Sequence, residues 1–226
     1  MKDFSTFFPR DMIIDLNDMT TALALEAHKI VSERTKLKGK SARGAEGQLR
    51  FRILEQGFQE ICEQHGGVLI ENGLAIGGTV HRIYQPFMRF SKGDGTGVIL
   101  AIASMPGKRE LPVKNESRKA GVMLNYHVTP RLALDKSDPQ LGDTFVLFLT
   151  ARDRAKAGQI EEVAIGVIDS KYEGYVFYET IERFMARYAP AQEEAKPQEN
   201  IVKLKRNRKV YVPPEAPEEA KAEDKE

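Results

Sequence analysis

The stretch "EEVAIGVIDSKYEG" (161–174) runs from six uncharged residues, Val163 to Ile168, straight into Asp169-Ser170-Lys171. A second aspartate, Asp143, opens the apolar run "DTFVLFLT" (143–150), and the polar segment "RDRAKAGQ" separates the two runs. Both runs are apolar on both faces, which predicts two central strands. If they form an antiparallel hairpin with Thr150 opposite Glu162, Asp143 falls opposite Asp169, with Cβ atoms about 5 Å apart. Alternation along the strand puts Lys171 on that same face. Two carboxylates so placed repel each other unless a cation lies between them. Mg²⁺ prefers oxygen ligands and stabilises charge on a phosphate oxygen, while Lys171 would position or deprotonate an attacking water. The chemistry would be phosphodiester hydrolysis, with Asp143 and Asp169 as metal ligands and Lys171 as the catalytic base. The competing reading is structural: Asp143 starts a strand and Asp169-Ser170-Lys171 is where a buried strand reaches water. The triplet is not itself informative, because four acid-x-Lys triplets occur and three lie beyond residue 190. A register slip of one residue would also put the two aspartates on opposite faces.

Over residues 44–190 these residues resemble the PD-(D/E)xK nuclease-like superfamily, the restriction-endonuclease-like fold. Asp143 matches its first acid, and Asp169 and Lys171 match its second acid and lysine. Glu46, in "AEGQLRFRILEQGF", matches the helix acid, and "YETIERFMARY" the helix that follows the motif. The resemblance implies a Mg²⁺-dependent nuclease acting on DNA or RNA, with Glu46 as an auxiliary catalytic acid. The chain departs from the pattern by Asp in place of the commoner Glu in the triplet, by Gly142 rather than proline before Asp143, and by extra strands before Asp143.

A net charge of +1 gives no global attraction to polyanions, but the charge is unevenly spread. "RTKLKGKSAR" (34–43) holds Arg34, Lys36, Lys38, Lys40 and Arg43 and no acid; "MPGKRELPVKNESRK" (105–119) holds Lys108, Arg109, Lys114, Arg118 and Lys119 and two acids. Such patches can contact phosphates locally, and Gly39 within the first and Gly44 just after it allow close backbone approach. These ten residues are the candidate nucleic-acid contacts; the plain alternative is a solvated charged surface. Neither segment interleaves aromatics as a base-stacking platform would. A second function class therefore stands beside the nuclease: a non-catalytic interaction or assembly protein that recruits a protein or nucleic-acid partner through its sheet edge, basic loops or tail.

Other chemistries find little support. "KGDGTG" (92–97) and "GLAIGG" (73–78) lack the spacing of phosphate-binding loops and a following helix. His28, His65, His81 and His127 are widely spaced, and the single Cys62 falls on an apolar helix face. No apolar run approaches the roughly 20 residues of a spanning helix, so no membrane partner is expected. With acids through its first residues and one cysteine, the chain reads as cytoplasmic.

Positioning these residues requires an α+β fold. Apolar stripes predict helices over 16–33, capped by Asp18 or Thr20, and about 45–65, ended by Gly66-Gly67. The period then changes to two. Asn72-Gly73 suggests a hairpin, "HRIYQPFMRF" and "GVILAIASM" read as strands, and 120–128 reads as extended. A short helix over "YETIERFMARY" closes the domain. The expected architecture is one domain, 1–190, with a central mostly antiparallel sheet, two N-terminal helices and one short C-terminal helix. A charged, largely disordered tail over 191–226, with a basic segment at 201–212, follows.

Overall fold

The computed structural model describes residues 3–75, 81–93, 95–129 and 142–188, all within the unit Met1–Pro190. The expected turn at 137–143 lies outside them except for Gly142 and Asp143, and so does the tail with its basic segment. Helices α1 (Arg10–Arg34) and α2 (Gly39–Gln64) come first, then strands β1 (Val68–Leu69), β2 (Leu74–Ala75), β3 (Arg82–Ile83), β4 (Met88–Ser91) and β5 (Gly97–Met105). Helix α3 (Glu116–Met123) and a 3₁₀ segment (Leu124–Val128) precede β6 (Thr144–Arg152), β7 (Ile160–Ile168), β8 (Tyr175–Thr180) and α4 (Ile181–Met185).

The main sheet has the order β1-β4-β5-β6-β7-β8, and every neighbouring pair is antiparallel but β5–β6. This is the expected α+β architecture with its two N-terminal helices and short C-terminal helix. The parallel pair adds a crossover, because parallel neighbours cannot be joined by a tight turn. α3 lies in that crossover.

Strand β6 is buried on both faces from Thr144 to Ala151, as its doubly apolar sequence predicts. Alternate residues serve two cores. Leu100, Ile102, Val146, Phe148, Ile165 and Val167 face α1 and α2, whereas Ile99, Ala101, Phe145, Leu147 and Ala164 face α3 and the crossover. The two helices pack closely because Gly57 has no side chain: a Cβ there would lie 3.1 Å from Leu23 Cδ1 and Met19 Sδ.

Several local expectations are corrected. α1 begins at Arg10 after Pro9, so neither Asp18 nor Thr20 caps it; Thr20 instead donates to the Leu16 carbonyl at 2.7 Å. α2 begins at Gly39, well ahead of the expected start near Ala45. The Asn72-Gly73 turn does not fold its flanking runs on each other. Leu69 pairs with Met88, whereas Leu74 pairs with Ile83. Residues 120–128 are helical rather than extended: Asn115 caps α3 by accepting the Arg118 N–H at 2.9 Å, and tertiary packing overrides the mixed pattern. In "YETIERFMARY" the first three residues finish β8 and only Ile181–Met185 are helical.

Cys62 lies fully buried on the sheet-facing side of α2, and burial pushes its thiol well above the usual range. Thiol reagents should therefore leave native protein unlabelled and label it at the rate of global unfolding; rapid native-state labelling would contradict this packing.

Candidate functional site

The β6–β7 register decides the fate of the aspartate pair. Thr150 lies opposite Val163, not Glu162, and Leu147 lies opposite Gly166. Continued to the strand ends, this register sets Ser170, not Asp169, opposite Asp143, which is the one-residue slip that separates the carboxylates. The two strands also part before reaching them. Asn125, fully buried, inserts its amide between Phe145 and Ile168: Nδ2 donates to both carbonyls at 2.9 and 2.8 Å, and Oδ1 accepts the Phe145 N–H at 2.7 Å.

Each aspartate then finds its own partner. Asp143 reaches across β5 to Arg89 of β4, which donates Nε to Oδ2 at 2.6 Å and Nη2 to Oδ1 at 3.2 Å. The path lies over Gly97, where a Cβ would come within 2.9 Å of Asp143 Oδ1. The forked bond to Asp143 raises the Arg89 pKa further. Asp169 turns back on the β7–β8 connection. Its Oδ1 accepts the Lys171 N–H at 2.8 Å, and its Oδ2 accepts those of Glu173 and Gly174 at 3.1 and 2.5 Å. These bonds shape a turn in which Tyr172 adopts φ 64°. Lys171 is exposed beside this turn, with Thr129 and Tyr175 lining the same shallow recess.

Glu46 belongs to the other end of the molecule. It is buried between α1 and α2, with Oε2 2.9 Å from His28 Nδ1. His28 in turn packs on the β6–β7 turn, since a Cβ at Gly158 would lie 2.7 Å from His28 Cβ. That turn follows Arg152, the far end of a nine-residue strand from Asp143, or about 30 Å away. The four residues of the nuclease motif thus occupy three separate places. Mg²⁺ does not fit these groups: a guanidinium occupies the oxygens of Asp143 and backbone N–H groups those of Asp169. Among the described residues no group of three or more His, Cys, Asp or Glu is arranged to hold a metal ion.

The two basic segments also differ in kind. In the crossover, Lys108 pairs with Glu161 at 3.1 Å and Lys119 with Glu116 at 2.7 Å. Arg109 and Lys114 stack over the rings of Tyr178 and Tyr172, and Arg118, its pKa lowered by burial, donates to the Val113 carbonyl. The cations of this segment are committed to the fold. By contrast, Arg34, Lys36, Lys38, Lys40 and Arg43 are all exposed at the α1–α2 junction, and none of their side chains makes a hydrogen bond or ion pair among the described residues. The junction projects past His28 by about six residues of α1, or about 9 Å.

Three arginines outside the motif lie near the base of this projection. Arg50 of α2, Arg152 of β6 and Arg154 of the β6–β7 turn line one cavity. Arg152 and Arg154 are two residues apart at the end of an apolar strand, a visible signal; Arg50 joins them only through packing. Comparison with protein-family models, curated proteins and solved structures finds no match to this chain. No helix among the described residues is long and apolar enough to cross a membrane.

Proposed function

We propose that this chain is a non-catalytic interaction protein that engages the phosphate backbone of nucleic acid through the tip of its α1–α2 hairpin. The observation behind this reading is the set of five exposed cations, Arg34, Lys36, Lys38, Lys40 and Arg43, without acids among them and without partners among the described residues. Cations whose side chains are unpaired at the tip of a helical hairpin are free to displace the counterions of a polyanion. The crossover cations, already paired or stacked, are not.

Counterion release sets the magnitude. Five phosphate contacts on duplex DNA give a slope of log K against log[salt] of about −4.5. The Lys36→Gln, Lys38→Gln, Lys40→Gln triple variant should reduce that slope to about −2 and weaken binding at low salt at least about tenfold. Fluorescence anisotropy over a salt series, with duplex DNA, single-stranded DNA and RNA, measures both. Binding that ignores salt, or that the triple variant leaves unchanged, would sink this reading. Adding Mg²⁺ to the same mixtures gives a further check: cleavage abolished by Asp169→Ala would replace it with the nuclease.

A further inference from the structure

The cavity under the hairpin has a volume of about 210 Å³. Arg50, Ser104, Thr150, Arg152 and Arg154 supply its polar wall, with Ile160 among its apolar residues. Ser104 and Thr150 pair on the helix-facing side of adjacent parallel strands, and Arg152, just past a register shift after Ala151, joins them in the lining. Arg50 comes down from α2 to meet them.

This arrangement carries more positive charge than the fold neutralises: three arginines line the cavity, and Glu46, the acid ion-paired with Arg50, is shared with His28. Arg50 Nη1 is buried and has no hydrogen-bond partner. The nearest acid, Glu46, holds Oε1 3.9 Å away, beyond hydrogen-bond reach, and its other oxygen is bound to His28. Asp153 is not part of the lining, and its Oδ1 accepts the N–H groups of Ala155 and Lys156 at 2.7 and 3.0 Å. Arg154 is positioned by one bond, Nη2 to the Pro106 carbonyl at 2.7 Å, which leaves its other nitrogens available. Burial lowers the Arg50 pKa and the neighbouring Arg152 charge lowers it further, with Glu46 offsetting part of the shift. A buried guanidinium facing a second one, with a donor unsatisfied, is costly unless an anion completes it.

We propose that this cavity is a binding site for a single tetrahedral oxyanion, a phosphate, held by Arg50 and Arg152 with Arg154 and the Ser104 and Thr150 hydroxyls around it. Guanidinium forks match phosphate oxygens in pairs. The volume lies below the roughly 300–1,000 Å³ of pockets that enclose whole small molecules, so one phosphoryl group fits and a complete nucleotide does not. The phosphate is either free inorganic phosphate or the terminal phosphate of a nucleotide chain. The site is separate from the hairpin tip and stands whether or not the tip binds nucleic acid.

Thermal unfolding of the full chain in phosphate and in chloride at matched ionic strength tests the proposal. Wild type should gain about 5–10 °C in Tm at a hundredfold excess of phosphate over Kd. Arg50→Met and Arg152→Met should each lose that phosphate-specific gain. If Arg50→Met fails to fold, Arg152→Met with ³¹P line broadening of inorganic phosphate carries the test. No phosphate-specific shift in wild type, or the same shift in both variants, overturns the site. Oligonucleotides with a 5′-phosphate or a 5′-hydroxyl distinguish the sources. Tighter binding of the phosphorylated end, lost in Arg152→Met, assigns the terminal phosphate; equal binding, with the shift in inorganic phosphate retained, assigns the free ion.

Discussion

Asn125→Ala is expected to destabilise the protein by about 3–5 kcal/mol, a large share of the roughly 5–15 kcal/mol that holds a domain folded. The side chain replaces a missing rung of the β6–β7 ladder. Its amide serves the Phe145 N–H, the Phe145 carbonyl and the Ile168 carbonyl, and the residue is fully buried. Removing it leaves three backbone groups unsatisfied, each costing about 1–3 kcal/mol when water cannot reach it. The backbone at this position also holds the neighbouring turn: the Asn125 main-chain carbonyl accepts the Thr129 hydroxyl, and the Thr129 oxygen accepts the Ser170 N–H, both at 2.8 Å. Urea unfolding should show a lower midpoint with an unchanged slope, and Tm should fall by about 10 °C. Asn125→Asp adds a pH signature. A carboxylate there would face two carbonyl oxygens, which raises its pKa in the folded state. Its deficit relative to wild type should be smallest at acid pH, where the group is protonated, and should grow as the pH rises above the unfolded-state value toward the raised folded-state pKa. A loss below about 1 kcal/mol for Asn125→Ala would show that the strands pair without it.

The second large effect is expected at Gly121. Helix α3 lies flat on the Phe145 ring only because this position has no Cβ. One placed there would come within 2.5 and 2.6 Å of ring carbons Cε1 and Cε2. Phe145 cannot retreat: it is fully buried, edge-on to Phe87 with centroids 6.1 Å apart. Gly121→Ala should therefore cost about 2–3 kcal/mol through overpacking, despite alanine's better helix propensity. Gly47→Ala provides the contrast. That glycine is also helical, but the space its Cβ would enter is open, with no atom within 4 Å. The substitution there should stabilise by about 0.5–1 kcal/mol. Phe145→Leu combined with Gly121→Ala should recover part of the loss, and a double-mutant cycle reads the coupling directly. If the two glycine variants respond alike, α3 does not sit on Phe145 as described.

Both positions bear on why the aspartates do not meet. Asn125 parts β6 from β7 immediately before Asp143 and Asp169, and α3 with its 3₁₀ extension is the element that brings Asn125 there. Residues 120–128 have a mixed pattern because Ala120, Val122 and Asn125 are buried while Met123, Leu124 and Tyr126 are exposed. The crossover that carries them could not be anticipated from strand order either, since a parallel pair between antiparallel neighbours leaves no local mark.

Much of the architecture was nonetheless written locally. The 3.6-residue stripes of α1 and α2, the doubly apolar runs of β6 and β7 and the unopposed cations of 34–43 each depend on neighbours in the chain, and each reappears in the structure. Register, partnership and enclosure do not. Whether Thr150 faces Glu162 or Val163 is a shift of one residue that changes no composition, yet it exchanges the faces of every side chain beyond it. Arg89 and Asp143 are separated by 54 positions, and Arg50 meets Arg152 only because α2 lies on the end of β6. A side chain's type comes from the sequence, but its partner is set by which distant segment the packed core holds against it, and that is decided by close packing in three dimensions.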